Sequence, residues 1–283
     1  MILVTGATGT IGSATVNALK ARGARFKVAA RSPDRLAGQG VETVPFDWDK
    51  PQTFGPALGG VEKLFLLTPN TTDQQARYVQ ALVDASKKAG VKHIVRLSVM
   101  GANAEPGILL GRMHRESEKL IEGSGLAWTM LRPTFFMDNF LNYYGVDPRK
   151  DCTLHLAHGQ GKAVWVDGRD VGEVAAAALT STGHEGKAYE LTGPQALGAA
   201  EACAILTEVL GHKYTYVELP AEQARKAMED SQTPAWMVQG FSELSALIRN
   251  GQSATPASGV KDALGRPPRG FRDFAKDLAA GNR

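Results

Sequence analysis

Residues 2–12 read Ile-Leu-Val-Thr-Gly-Ala-Thr-Gly-Thr-Ile-Gly, and no other stretch restricts the fold so tightly. Ile2, Leu3 and Val4 form a short apolar run closed at once by glycine, which suits a strand buried on both faces of a parallel sheet. Gly6, Gly9 and Gly12 recur at three-residue spacing, and from Ile11 to Leu19 apolar residues fall at helical intervals. The order is strand, tight glycine turn, helix. Gly6 permits a turn that a Cβ would block, Gly9 lets a pyrophosphate approach the backbone, and Gly12 lets the helix pack close to the strand. Together with Thr8, Thr10 and Ile11, these glycines present a helix N-terminus whose free N–H groups and positive dipole end suit phosphates. The spacing departs from Gly-x-Gly-x-x-Gly, but its place between a first strand and a first helix supports a dinucleotide-binding turn; an ordinary strand-to-helix turn is the competing reading.

The following residues continue such a fold. Phe26–Arg31 is a second strand, and the residue at its end selects the dinucleotide: an acid holds two ribose hydroxyls, whereas an arginine pairs with a 2′-phosphate. Arg31 followed by Ser32 favours NADP (NADPH), and Asp34, just before Arg35, keeps NAD possible. The alternative is a solvated charge opening a loop. Val41–Phe46 is a third strand closed by Asp47, a carboxylate suited either to an adenine amino group or to capping its own turn. A helix over Pro51–Leu58 leads to a fourth strand, Lys63–Leu67, and Thr68, Pro69 and Asn70 end it beside the expected ligand crevice. Asp73–Ala89 is an amphipathic helix stopped by Gly90, Val91–Ser98 a fifth strand, Arg112–Glu122 a helix and Leu126–Leu131 a sixth strand. This alternation predicts an α/β fold: a Rossmann-type doubly wound parallel sheet forming an NAD(P)-binding domain over residues 1–138.

Beyond that point the pattern changes. A stretch rich in Asn, Tyr and Pro, Asn139–Asp151, precedes Ala163–Val166, the helix Asp170–Leu179 and the strand Lys187–Leu191. The helix Gly198–Leu210, the strand Tyr214–Glu218, helices from Ala221 to Asn250 and a helical tail over Val260–Ala280 complete it. Residues 139–283 read as a smaller mixed α/β substrate-binding lid with C-terminal helices, from which a segment near 160–192 returns to the first domain. A net charge of +3 with no Lys/Arg block argues against a nucleic-acid partner. With no apolar run of membrane-spanning length and a first strand at residue 2, no membrane association is expected and a cytoplasmic location is the default. Cys152 and Cys203 are too few for a disulfide framework, and His155 and His158 lack a ligand set, so no metal is expected. A monomer or homodimer is anticipated.

Several segments together carry a family resemblance: Thr5–Gly12, Val28–Arg31, Gly90–Val95, His114 with Glu118, Thr129–Pro133 with Phe135–Asn139, and Asp170–Val174. They resemble the atypical, NmrA-like branch of the short-chain dehydrogenase/reductase superfamily, over about residues 1–220. That resemblance implies a reductase of the triphenylmethane reductase or NADPH:quinone oxidoreductase kind, or a redox-sensing regulator. The superfamily supplies a Ser and a Tyr-x-x-x-Lys pair, the lysine lowering the tyrosine pKa and holding the nicotinamide ribose. Here the lysine position is His114 and the tyrosine position Leu110, while Ser98 stays close to the serine position. The dyad is absent. His114 then holds a ribose hydroxyl while hydride passes to an acceptor needing no strong proton donor; or the proton comes from Ser98, His114, solvent or substrate; or the dinucleotide is bound without turnover.

Ser98 and His114 are therefore the candidate catalytic residues and also candidate cofactor contacts. Pro133, Thr134, Phe135 and Phe136 would wall the nicotinamide against water, or alternatively pack sheet to lid. Met100, Phe136, Asn139, Tyr143, Trp165 and Trp236 are candidates for a flat aromatic substrate pocket, with core packing as the alternative for the aromatics. Glu118, one turn beyond His114 on the same face, would orient the imidazole or make a surface pair, whereas Lys119 is rotated away and solvated. The favoured reading is an NADPH-dependent reductase of a planar conjugated small molecule: a quinone, an aromatic ketone such as an aromatic polyketide, or a dye-like cation. The alternatives are a non-catalytic NAD(P) redox-sensing regulator and a tailoring enzyme that uses the dinucleotide structurally.

Overall fold

The computed structural model describes residues 1–33 and 40–281, so Asp34 and Arg35 lie outside the described residues. The first half runs β1 (Ile2–Val4), α1 (Thr10–Ala21), β2 (Phe26–Ala30), β3 (Glu42–Pro45), then a 3-10 turn (Pro51–Thr53) leading into α2 (Phe54–Ala57). It continues with β4 (Lys63–Leu66), α3 (Gln75–Ala89), β5 (His93–Leu97), α4 (Leu109–Glu122) and β6 (Ala127–Pro133). The second half holds α5 (Asn139–Asn142), β7 (Cys152–Leu156), β8 (Lys162–Ala163), α6 (Gly168–Thr180), β9 (Lys187–Leu191) and β10 (Leu197–Gly198). It ends with α7 (Ala199–Leu210), β11 (Tyr214–Glu218), α8 (Ala221–Asp230), α9 (Ala235–Arg249), α10 (Gly259–Leu264) and α11 (Phe271–Ala279).

Seven parallel strands form the main sheet in the order β3-β2-β1-β4-β5-β6-β9. The order reverses between β1 and β4, and ligands of open α/β sheets bind at the carboxyl edge of such a switch point. The apolar runs of β1 and β4 are explained by burial on both faces. Ile2, Val4, Val28, Phe65, Val95 and Leu131 face Ile11 and Leu19 of α1 and Val171, Val174 and Leu179 of α6. The alternate residues Leu3, Leu64, Leu66, Ile94 and Met130 face Val79, Leu82 and Val83 of α3 and Ile121 of α4. A third core, in the second half, gathers Met137, Phe140, Trp165, Leu206, Tyr214, Phe271 and Phe274.

In the second half the elements go beyond the sequence reading. The strand read at Lys187–Leu191 is β9, the seventh of the sheet, and pairs with β6 from Thr129↔Lys187 to Pro133↔Leu191. In the segment Ala163–Val166, Ala163 closes β8, which pairs antiparallel with β10, and Val166 makes an isolated bridge to Phe136. β7, which the sequence reading missed, pairs in parallel with β11; its alternation of exposed and buried residues is short and carries Cys and His. Val260–Ala280 is two helices, because Gly265 (φ +69°) ends α10 and Pro267 and Pro268 cannot continue it.

Two sets of contacts fix α6, one against the first half and one against the tail. Gly172 of α6 lies so close to α1 that a Cβ there would sit 2.6 Å from the Ala14 carbonyl carbon. Arg266 and Arg269, in the tail, converge on α6. Arg266 reaches the buried Asp170 at 2.7 Å and Glu173 at 2.5 Å. Arg269 pairs with the Asp170 carboxylate, donates its backbone N–H to it at 2.7 Å, and reaches Glu173 at 2.6 Å.

Candidate active site

The glycine turn is built around Gly6 at φ +66°, whose carbonyl accepts the Gly9 N–H at 3.1 Å. Buried Thr5 pins the turn to β4: its hydroxyl lies 3.0 Å from the Leu67 carbonyl and accepts the Leu67 N–H at 2.8 Å. A Cβ on Gly12 would lie 1.9 Å from the Gly6 oxygen, so this glycine is required by the turn itself and not, as expected, by helix-to-strand packing. Gly9 is different. Its nearest neighbour would be the Gly6 oxygen at 3.6 Å, an ordinary contact, and the residue is exposed, so its missing Cβ leaves room for a ligand. No side chain caps α1 and no acid occupies its first turn, which leaves its N-terminal N–H groups and dipole for an anion. Thr8 is exposed, the Thr10 hydroxyl accepts from Asn142 Nδ2 at 3.2 Å, and Ile11 buries its side chain so that only its backbone faces the turn.

Arg31 and Ser32 are exposed just past the end of β2, and neither has a protein partner among the described residues. Asp47 serves its own turn: its carboxylate accepts the Asp49 N–H at 3.1 Å and pairs with Lys50 at 3.5 Å. Of the two roles open to it in the sequence, turn capping is the one seen.

Past β4 and along β5 lies a buried polar network that the sequence reading missed. The Arg96 guanidinium, 1% exposed, donates to the Leu66 carbonyl at 3.3 Å, Thr68 Oγ1 at 3.1 Å and Gln75 Oε1 at 3.2 Å. Burial lowers its pKa to about 10, which leaves it charged. Pro69 is half-buried and Asn70 exposed beside it. Glu118, fully buried on α4, takes a two-pronged bond from Arg132 of β6 at 2.9 and 2.8 Å and a third from Arg115 at 3.0 Å. Burial pushes its carboxyl up, but the pull of Arg132, Ser98 and Arg115 prevails and holds it below the ordinary range. Glu118 is thus neither a surface pair nor hydrogen-bonded to the imidazole. Lys119 is exposed, as expected.

Ser98 and His114 stand over this network. The buried Ser98 hydroxyl faces Glu118 yet meets no protein group in hydrogen-bond geometry. Burial, then the neighbouring Arg96 charge, depresses the His114 pKa to about 3, so the imidazole is neutral. Its Nδ1 is buried without a partner among the described residues. Leu110, at the tyrosine position, is covered by α9: a Cβ on Gly240 would lie 2.8 Å from Leu110 Cγ. The same helix caps α4, Glu243 Oε2 accepting the Leu109 N–H at 2.6 Å.

At the end of β6 the Pro133 carbonyl accepts the Met100 N–H at 2.8 Å, and the Thr134 N–H reaches Leu191 at 3.0 Å. Phe136 packs against the sheet core while Phe135 stacks obliquely on Trp165 at 5.6 Å. Trp165 corrects an expectation. It is 1% exposed, packed among Phe135, Phe140 and Tyr144, and its Nε1 donates to the Leu197 carbonyl at 3.0 Å, so it has no free face for a substrate. Met100, Asn139 and Trp236 are partly buried, and Tyr143 is 68% exposed. Two shallow hollows, against Phe54 and Lys88 and against Arg22 and Leu179, lie away from this region. No group of potential metal ligands occurs among the described residues.

The NmrA-like family model matches residues 1–254. The NAD(P)H azoreductase of Xenophilus azovorans is 40% identical over 283 residues, covering 99% of this chain and 98% of its own. The (4-alkanoyl-5-oxo-2,5-dihydrofuran-3-yl)methyl phosphate reductase of Streptomyces griseus is 38% identical over 284 residues, with coverage of 99% and 98%. The crystal structure of an NADPH-dependent quinone oxidoreductase from Escherichia coli, complexed with NADPH, superposes with a TM-score of 0.84 at 27% identity, covering 98% of this chain and 99% of that one.

Proposed function

This chain belongs to the NmrA-like family, and from that premise we propose that it is an NADPH-dependent oxidoreductase that reduces a planar conjugated small molecule without a Tyr-x-x-x-Lys dyad. The observation that carries the reading is the uncapped N-terminus of α1 behind the Gly6–Gly12 turn, with an exposed arginine at the end of the neighbouring strand that has no partner among the described residues. The relatives act in the same direction: an azoreductase and a quinone oxidoreductase take flat, conjugated acceptors by name.

The residues present fit the dinucleotide. The backbone N–H groups of Thr10, Ile11 and Gly12 would hold the pyrophosphate, and Gly9 has the open space that its approach requires. Arg31 and Ser32 would take the 2′-phosphate. Thr68, Pro69, Asn70, Ser98, His114 and the Pro133–Phe136 segment would frame the nicotinamide. NADPH supplies the hydride. Phe135 and Phe136 keep water from the reacting face. The imidazole of His114, neutral down to about pH 3, is no proton donor at neutral pH but is able to hold a ribose hydroxyl. A reduced acceptor that needs a proton then draws it from solvent, a step open to quinones and azo compounds.

The test is NADPH oxidation, followed by absorbance, against quinones, azo dyes, aromatic ketones and cationic dyes. NADH runs alongside, and cofactor binding is titrated separately. Turnover on a planar acceptor, faster with NADPH, is the expected result. Tight NADPH binding with no turnover across the panel overturns the reading and makes the protein a dinucleotide sensor.

A further inference from the structure

Buried polar side-chain atoms are almost always paired, because an unpaired donor or acceptor loses its water without compensation. Three of the exceptions in this protein gather at one place: Arg96 Nε, Ser98 Oγ and His114 Nδ1. Arg96 and Ser98 follow one another on the same face of β5 and its end, and α4 lays His114 and Glu118 over that face. The remaining guanidinium bonds of Arg96 go to neutral oxygens of Leu66, Thr68 and Gln75. The carboxylate of Glu118 is engaged by Arg132 and Arg115. The charged groups about the imidazole are therefore Arg96 from β5, Glu118 from its own helix, Arg132 from β6 and, at the start of α4, Glu243 from α9.

A neutral imidazole carries one N–H and one lone pair. A guanidinium offers donors only. An N–H turned towards it sets like partial charges together, whereas a lone pair turned towards it accepts its proton. We propose that Arg96 is a positioning residue which, through one water, engages Nδ1 of His114 and fixes the ring as the Nε2–H tautomer, so that the site meets a hydrogen-bond donor. The depressed basicity of the ring, to which the Arg96 charge contributes after burial, agrees with a lone pair held beside a cation. The inference rests on the reading of this region as the dinucleotide site. It states what that site presents: a neutral donor, suited to the lone pair of a ribose hydroxyl, a carbonyl or an azo nitrogen.

The experiment is long-range nitrogen–proton NMR of the histidine rings in the 15N-labelled, cofactor-free full-length protein. The chain has six histidines, and His114 is assigned by loss of its signals in His114→Gln. The expected spectrum shows His114 protonated at Nε2 alone and unchanged from pH 8 to pH 5. In Arg96→Gln the Nδ1–H form appears beside the Nε2–H form. Arg96→Lys, which keeps the charge, retains the wild-type tautomer. An Nδ1–H signal in the wild type, or a spectrum that Arg96→Gln leaves unaltered, overturns the proposal. If Arg96→Gln does not fold, the wild-type tautomer and Arg96→Lys still decide it. Because the spectrum reads the ring without substrate, a failure here is distinguishable from a failure of the reductase assay.

Discussion

Acid should unfold this protein steeply, and the histidines set the slope. Burial, then Lys63, holds His93 to about 4; burial, then Arg249, holds His158 to about 4; burial, then Arg96, holds His114 to about 3. His93 shows why. Its Nε2–H donates to Thr129 Oγ1 at 2.9 Å, Thr129 in turn donates to the His184 carbonyl at 2.7 Å, and Nδ1 has no acceptor for a second proton. In the unfolded chain each ring titrates near 6.5. Folded pKa values that are depressed mean that the unfolded state binds the extra protons, so this stability is complete above pH 6.5 and is lost as pH falls towards 4. Three such groups give a limiting slope of about 4 kcal/mol per pH unit. Between pH 7.5 and 5.0 each contributes about 2 kcal/mol, about 6 kcal/mol together, a large part of the ~5–15 kcal/mol that stabilises most domains. Urea unfolding at pH 7.5, 6.0 and 5.0 measures it, and His158→Gln should remove about a third of the loss. A folding free energy that changes by less than about 1 kcal/mol from pH 7.5 to 5.0 would refute the argument.

Arg31→Ala should weaken NADPH binding at least about tenfold relative to NADH, the worth of one charge-assisted phosphate contact; an unchanged ratio in parallel titrations removes Arg31 from the site. Asp170→Asn should lower stability by about 3 kcal/mol, since it leaves Arg266 and Arg269 facing a neutral amide; a loss below about 1 kcal/mol in urea unfolding would show that the tail is held by its apolar contacts alone.

The first strand, the glycine turn and Gly90, which ends α3 at φ +80°, were legible because single residues carry the backbone requirement. The polar network was not. An arginine in a strand is ordinarily solvated, and nothing local marks Arg96 as buried; its partners Thr68 and Gln75 lie 28 and 21 residues away in sequence. Glu118 misled for a related reason: its spacing from His114 was visible, but the deciding neighbour, Arg132, arrives from another strand. Trp165 was singled out for its ring, whereas its environment is set by Phe140 and Tyr144 and by a carbonyl 32 residues on. Periodicity also failed where elements are short, as in β8 and β7.

The strand order carries a consequence for biosynthesis. The glycine turn follows directly on β1, yet its sheet lacks an edge until Lys187–Leu191 has emerged. The far side of α1 stays bare until α6 arrives, and the buried carboxylate of Asp170 on α6 waits for arginines at 266 and 269. The glycine turn is therefore covered only by segments that come much later in the chain. A nascent chain of this kind cannot finish its main sheet from the first six strands alone during translation, although domains generally fold as units; residues as far as Arg269 must clear the exit tunnel before that sheet and α6 are covered.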